Sequence, residues 1–245
     1  MRSPSSAPGL RRSELARKLI HVAAGLGAFA VVLLGPVRTA ALTAGLVVFN
    51  LAILPRLGGR WLWRSDEIQR GLSIGMAWYP IVLFGLNLVF WQRPEIVAAV
   101  WAILALGDGA ATVVGLALGR SRLPWNPAKS WAGALAFWLC ASLGAGGALY
   151  WTLTQRGYEP APGFLRVTAV CIALIAAFVE TLPLAVDDNL SVPLCSGGLL
   201  WLVLQREGLW LATNTAQRWA VVASTFVAIV GLLGIVAILL RQRTR

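Results

Sequence analysis

Apolar runs long enough to cross a lipid bilayer follow one another along almost the whole chain. Candidate spans lie at 19–35, 37–54, 71–90, 94–118, 131–153, 164–183, 190–204 and 217–240, against the roughly 17 to 25 residues needed to cross about 30 Å of hydrocarbon. Water is absent from the bilayer core, so backbone N–H and C=O groups must be satisfied within the protein. Only a helix bundle or a closed barrel does this, and no alternating barrel pattern occurs. The expectation is an all-α, polytopic transmembrane helix bundle of about eight spans. With 58% of residues hydrophobic and 13% charged, a soluble domain of ordinary makeup is excluded.

No linker and no internal repeat divides the chain, so it reads as a basic, flexible N-terminal tail at 1–14 followed by a single membrane-embedded domain at 15–245. A cleavable leader is disfavoured, because the first run continues past Gly35 and Pro36 into a second with no small-residue cleavage site. Lys and Arg near span ends stay cytoplasmic. Arg11, Arg12, Arg17 and Lys18 precede the first span, and Arg241, Arg243 and Arg245 follow the last, which puts both termini inside and requires an even number of spans. Loops 55–70, 119–130 and 184–189 then face the cytoplasm, and Trp61, Trp91, Trp125, Trp131 and Trp151 lie near span ends as interfacial anchors.

The formal charge of +11 fits cytoplasmic loops against an anionic membrane surface. It does not point to nucleic acid, because no basic segment forms a foldable domain outside the membrane. Cys140, Cys171 and Cys195 have no C-x-x-C spacing and read as small buried hydrophobes, with no disulfide framework.

Function must lie in the polar groups. Asp108 sits inside a span among Gly107, Gly109 and Gly115, where an aspartate needs a partner, a cation or a water-filled cavity. The plainer reading is a hydrogen bond between closely packed helices. The following loop holds Arg120, Pro124, Asn126, Pro127, Lys129 and Ser130, with Gly133 beyond. Ser130 is placed to cap a helix, and amides at that helix start form a phosphate cradle with Lys129 and Arg120, although the loop is not a Walker sequence. Its cations also serve as topological anchors on the plainer reading. Asp187 and Asp188 stand at a span junction with Asn189, and Glu180 lies two turns earlier with Pro183 between. Carboxylates so spaced converge on a hard cation such as Mg²⁺. One residue suffices for an N-cap, which is the alternative. Arg17, Lys18 and His21 share a helix face with Gly25; His21 is suited to bind a phosphate or to act as a general base, or else is a satisfied structural histidine. Asp66, Glu67 and Arg70 form a short amphipathic segment that closes over a headgroup or simply lies at the interface.

Taken together, R-K-x-x-H-x-x-x-G (Arg17 to Gly25), G-D-G-x-A followed by P-x-x-x-x-K-S-x-x-G or P-x-K-S-x-x-G (Gly107 to Ala111, then Pro124 or Pro127 through Lys129, Ser130 and Gly133), and E-x-x-x-x-x-x-D-D-N-x-x-x-P (Glu180 to Pro193) resemble the polyprenol kinase family, which includes dolichol kinase, phytol kinase and CTP-dependent diacylglycerol kinases. The resemblance extends from about residue 15 to 205. It implies transfer of the γ-phosphate of a nucleoside triphosphate, usually CTP, with Mg²⁺, to the hydroxyl of a long-chain lipid alcohol: phytol, geranylgeraniol, polyprenol, dolichol or diacylglycerol. No base-reading motif stands out, so UTP and ATP stay open beside CTP.

Carried onto this chain, the resemblance implies Asp108, Glu180, Asp187 and Asp188 as metal ligands and Arg120, Asn126, Lys129, Ser130, Gly133 and Asn189 at the nucleotide. Arg17, Lys18, His21, Glu67 and Arg70 would meet the substrate, and Asp108, Lys129, Asp187, Asp188 and His21 would serve catalysis on the cytoplasmic face. The G-D and K-S-W-A-G portions also resemble phosphatidate cytidylyltransferase, whose C-terminal signature is absent here. A transporter, for which an intramembrane acid and broken helices are also expected, is disfavoured because the acids gather at one surface rather than near the midplane.

Overall fold

Local chemistry sets where the helices begin. Pro94 and Pro162 occupy the first turns of their helices, where a missing N–H leaves no bond unmade. Ser130 caps another, its Oγ accepting from the Gly133 N–H at 3.1 Å. The structure, a computed structural model, describes residues 8–57, 62–63, 65–70, 74–184 and 186–205, with side chains from Ala16 onward except at 65, 66, 70, 74 and 75.

The chain runs through α1 (Pro8–Ala24), α2 (Gly27–Val48), α3 (Ser65–Arg70), α4 (Ile74–Val89), α5 (Pro94–Ala102), α6 (Gly109–Leu118), α7 (Trp131–Gln155), α8 (Pro162–Thr181) and α9 (Asp188–Leu204). α2 ends in a π-helical turn, Phe49–Ile53, and a second π-helical turn, Ile103–Asp108, joins α5 to α6 without a break. Every residue of α5 from Glu95 to Ala102 is buried, against α2, α4, α7 and α9. An all-round apolar helix has no polar face to turn outward, so it takes the axis of the bundle. The segment Gly27–Ile53 is the opposite case: only 22% of its apolar window is buried, which makes it part of the outer rim.

Among the described residues four helical segments are long and apolar enough to cross a membrane: Gly27–Ile53, Pro94–Leu118, Trp131–Gln155 and Pro162–Thr181. The runs expected at 71–90 and 190–204 form α4 and α9, apolar helices shorter than these four. The run at 217–240 lies outside the described residues.

The expected first span, 19–35, does not form as a unit. Its residues divide between α1 and α2 at a turn through Gly25 and Leu26, and the break expected at Gly35 is a kink inside α2. There φ is 72°, a region open to glycine, and Pro36 follows without an N–H. Side chains attend the kink, Thr39 Oγ1 donating to the Gly35 carbonyl at 2.8 Å and Asn87 Nδ2 to the Pro36 carbonyl at 2.9 Å. α1 also begins at Pro8, so helix reaches into the stretch expected as a tail.

The loop expected at 119–130 contains a two-stranded antiparallel hairpin, β1 (Arg122–Leu123) and β2 (Asn126–Ser130), so the fold is helical with one small sheet. Leu123 anchors it in the core at 1% exposure. Asn126 closes the turn by accepting from the Ala128 N–H at 3.2 Å and ties it to the end of α8 by donating to the Thr181 carbonyl at 3.1 Å. At the other end of the bundle Glu95, 1% exposed, accepts from both Arg93 and Arg156. Arg93 also donates to the Leu204 carbonyl at 3.1 Å, which joins the ends of α5, α7 and α9.

Candidate active site

A π-helical turn holds one residue more than an α-helical one and recurs where a helix must present a side chain out of register. Asp108 closes the turn Ile103–Asp108 and is 4% exposed. Glycines let α1 reach it. A Cβ at Gly109 would lie 2.2 Å from Val22 Cγ2, and one at Gly25 would lie 2.5 Å from Ala105 Cβ. This close approach brings the Lys18 ammonium into a hydrogen bond with Asp108 and leaves His21 Nε2 3.9 Å from the same carboxylate. The His21 ring lies against that of Tyr79, with centroids 3.8 Å apart, and the Tyr79 hydroxyl accepts from Trp101 Nε1 at 2.7 Å. Burial pushes the His21 imidazole below the ordinary histidine range, the Asp108 charge opposing.

The second half of the site comes from three later elements. β2 carries Lys129, α8 ends near Glu180, and α9 opens with Asp188. Lys129 donates to Glu180 and, at 3.1 Å, to Asp188. Burial disfavours its charge, but the two carboxylates outweigh burial and hold the ammonium above the ordinary lysine range. Oxygens of Asp108, Glu180 and Asp188 all lie within 4.8 Å of one another. Three carboxylates from three separate elements form an all-oxygen donor set, which fits a hard divalent cation.

A cavity of about 250 Å³ opens beside these acids. Arg17, Lys18, His21, Asp108, Lys129, Asp187, Asp188 and Asn189 line it together with the apolar Leu46, Phe49, Met76 and Pro80. Asp187 takes a different place from its neighbour: it is the N-cap of α9, accepting from the Asn189 N–H and from Asn189 Nδ2, each at 2.9 Å.

Of the loop residues singled out by sequence, Ser130 is engaged as a cap, Asn126 in the hairpin turn, and Gly133 in packing, where a Cβ would lie 3.0 Å from the Ala111 carbonyl. Arg120 is exposed and does not line the cavity. Glu67 is buried on α3, also away from the cavity lining, and the Asp66 and Arg70 side chains lie outside the described residues. The sequence reading did not single out Tyr79, Trp101, Asn50 or Thr112, of which all but Trp101 line the cavity. Thr112 carried a usable signal, falling one helical turn after Asp108.

No family model and no solved structure matches the chain. Curated proteins do. It is 28% identical over 214 residues to a protein of Oryza sativa subsp. japonica named probable phytol kinase 2, chloroplastic, covering 77% of this chain and 66% of that one. It is 33% identical over 196 residues to probable phytol kinase 2, chloroplastic, of Glycine max, covering 76% and 64%. To the farnesol kinase, chloroplastic, of Arabidopsis thaliana it is 29% identical over 207 residues, covering 77% and 65%. The chain thus spans just under two thirds of the length of these relatives. The likeness runs through three quarters of the sequence, including the stretches that bear Asp108, Lys129 and Glu180, and the chain belongs to the polyprenol kinase family, beside proteins named phytol kinase and farnesol kinase.

Proposed function

We propose that this protein is a membrane kinase that transfers the γ-phosphate of CTP, or of another nucleoside triphosphate, to the hydroxyl of an isoprenoid alcohol such as phytol, farnesol or geranylgeraniol. One observation carries the reading. Three carboxylates and two lysines line or adjoin a cavity that apolar side chains also line, which matches a polar reaction at the end of a hydrocarbon chain.

Asp108, Glu180 and Asp188 would hold Mg²⁺, which when bound neutralises charge on the transferring phosphate. Lys129, Lys18 and Arg17 bind phosphate oxygens, the lysines exchanging a carboxylate partner for a phosphate one. Leu46, Phe49, Met76 and Pro80 hold the first carbons of the acceptor and keep water from competing with its hydroxyl. The acceptor oxygen attacks the γ-phosphorus in line, the bond from γ-phosphorus to the bridging oxygen breaks, and the nucleoside diphosphate leaves. The hydroxyl proton passes to His21 Nε2, whose neutral imidazole is free to take it. Positioning and electrostatics supply most of the acceleration in such transfers. The cavity then faces the cytoplasm, where the basic loops that follow α2 and α6 lie by the positive-inside rule.

Purified protein in detergent, given Mg²⁺, γ-labelled CTP and a panel of lipid alcohols with phosphatidate, tests the reading. Label on an isoprenoid alcohol with release of CDP is the expected result. Label in pyrophosphate, and only when phosphatidate is present, would replace the kinase by a cytidylyltransferase.

A further inference from the structure

His21 is held at the face of its ring. The imidazole lies on Tyr79, and its Nε2 is buried, without a hydrogen-bond partner, 3.9 Å from Asp108. An imidazole whose Nε2 makes no hydrogen bond is not aimed by that nitrogen and can swing about its side-chain bonds unless a packed neighbour stops it.

We propose that Tyr79, pinned by the Trp101 indole, is a positioning residue that fixes the His21 imidazole with its Nε2 facing the carboxylates in the cavity. This rests on the kinase reading for what Nε2 does, but the placement itself does not depend on it. Trp101 is 1% exposed and its Nε1–H has the Tyr79 oxygen as acceptor. Losing that acceptor would strand a buried donor, so the phenol is fixed along its length. Space for the indole comes from Gly27, where a Cβ would lie 2.6 Å from the Trp101 ring. α2, α4 and α5 thereby fix one face of the histidine, while α1 supplies it. A buried ring nitrogen without a partner is costly to maintain, and such groups persist where a ligand completes them.

His21 is the only histidine in the chain, so with a histidine-free affinity tag its imidazole can be observed alone. Protein labelled with [15N]histidine is examined by NMR at a fixed pH, together with its rate of modification by diethyl pyrocarbonate and its steady-state kinetics. Wild type should show a single imidazole environment and slow modification. Tyr79→Phe, which keeps the ring face but loses the Trp101 hydrogen bond, should shift the imidazole signal slightly. Tyr79→Leu should shift it further and make modification about tenfold faster, with kcat lower by about 10- to 100-fold and the nucleotide KM within about twofold. Trp101→Phe leaves the phenol in place but unpinned, and should shift the imidazole signal in the same direction; it carries the test should Tyr79→Leu not fold. An unchanged imidazole signal in both Tyr79→Leu and Trp101→Phe would overturn the proposal. A shifted signal with unchanged kcat would support the placement and remove His21 from the reaction, and the wild-type product assay separately decides whether the kinase reading stands.

Discussion

Lys129 Nζ stands 3.1 Å from Asp188 Oδ2 and donates to Glu180 as well. With Lys18 on Asp108, every acid of the cluster has a lysine as its counterion. A divalent cation must compete with those ammonium groups, whereas a nucleotide gives them other anions to hold. Metal and nucleotide should therefore bind with positive coupling. Mn²⁺ affinity, read by electron paramagnetic resonance, should rise by about tenfold or more when CTP is added. Lys129→Met, which keeps the stem and removes the charge, should tighten Mn²⁺ binding without nucleotide and weaken the coupling. Equal Mn²⁺ affinity with and without CTP in wild type would count against this exchange.

Adjacent aspartates should behave differently. Asp188 belongs to the carboxylate cluster, and Asp187 caps α9. Asp188→Asn is expected to lower kcat by about 100-fold or more with little change in thermal midpoint. Asp187→Ala should cost about 1 kcal/mol of stability through the lost cap, with a smaller effect on kcat. The comparison needs only a melting curve and a turnover number for each variant, and equal kcat losses in the two would refute the division.

The contact between α1 and α6 depends on a missing methyl group. At 2.2 Å from Val22 Cγ2, a Cβ at Gly109 has no room, and valine is stiff about χ1. Gly109→Ala should push α1 away, moving Lys18 and His21 from Asp108 and reducing kcat by about tenfold or more. Val22→Ala in the same chain should restore most of it, and a double mutant no better than Gly109→Ala would show that α1 docks some other way.

Thirteen residues separate Glu95 from Asp108, about 20 Å along a helix axis. The Arg93, Glu95 and Arg156 cluster should thus bear on stability and not on chemistry. Removing the Arg156 charge with Arg156→Met leaves a buried carboxylate with one partner fewer, and is expected to cost about 1 to 3 kcal/mol by thermal unfolding, with kcat unchanged well below the midpoint. A large fall in kcat would tie this end of the bundle to turnover.

The sequence was most readable where an apolar run is uninterrupted and bounded by helix-start chemistry. The expected 94–118 matches Pro94–Leu118, and 131–153 and 164–183 fall within two residues of Trp131–Gln155 and Pro162–Thr181. It misled at 19–35, because hydropathy adds up apolar side chains and does not register the turn at Gly25 and Leu26. It also placed the break of α2 correctly at Gly35 while overestimating it, a kink and a chain reversal having the same residue signature.

In the site, Asp108 stood out because a carboxylate in an apolar run is costly, and Glu180 and Asp188 because carboxylates so spaced across a span junction can converge on one cation. Which of Asp187 and Asp188 joins the carboxylate cluster and which caps α9 could not be read, since neighbours at a helix start differ by one rotation. Tyr79 and Trp101 were hidden for the opposite reason: aromatic residues are ordinary in such runs, and their hydroxyl and indole N–H acquire meaning only through each other.

The extra residue in the turn Ile103–Asp108 also sets a phase. A helical wheel advanced at about 100° per residue from Pro94 reaches Gly109 about one residue out of step. The two halves of this single span face different surroundings: α5 is buried on all sides, while Gly109 and Ala111 are the buried residues of α6. Accessibility scanned residue by residue along Pro94–Leu118 should stay flat and low through α5 and take up a helical period only from Gly109 onward, about one residue out of step with a wheel begun at Pro94.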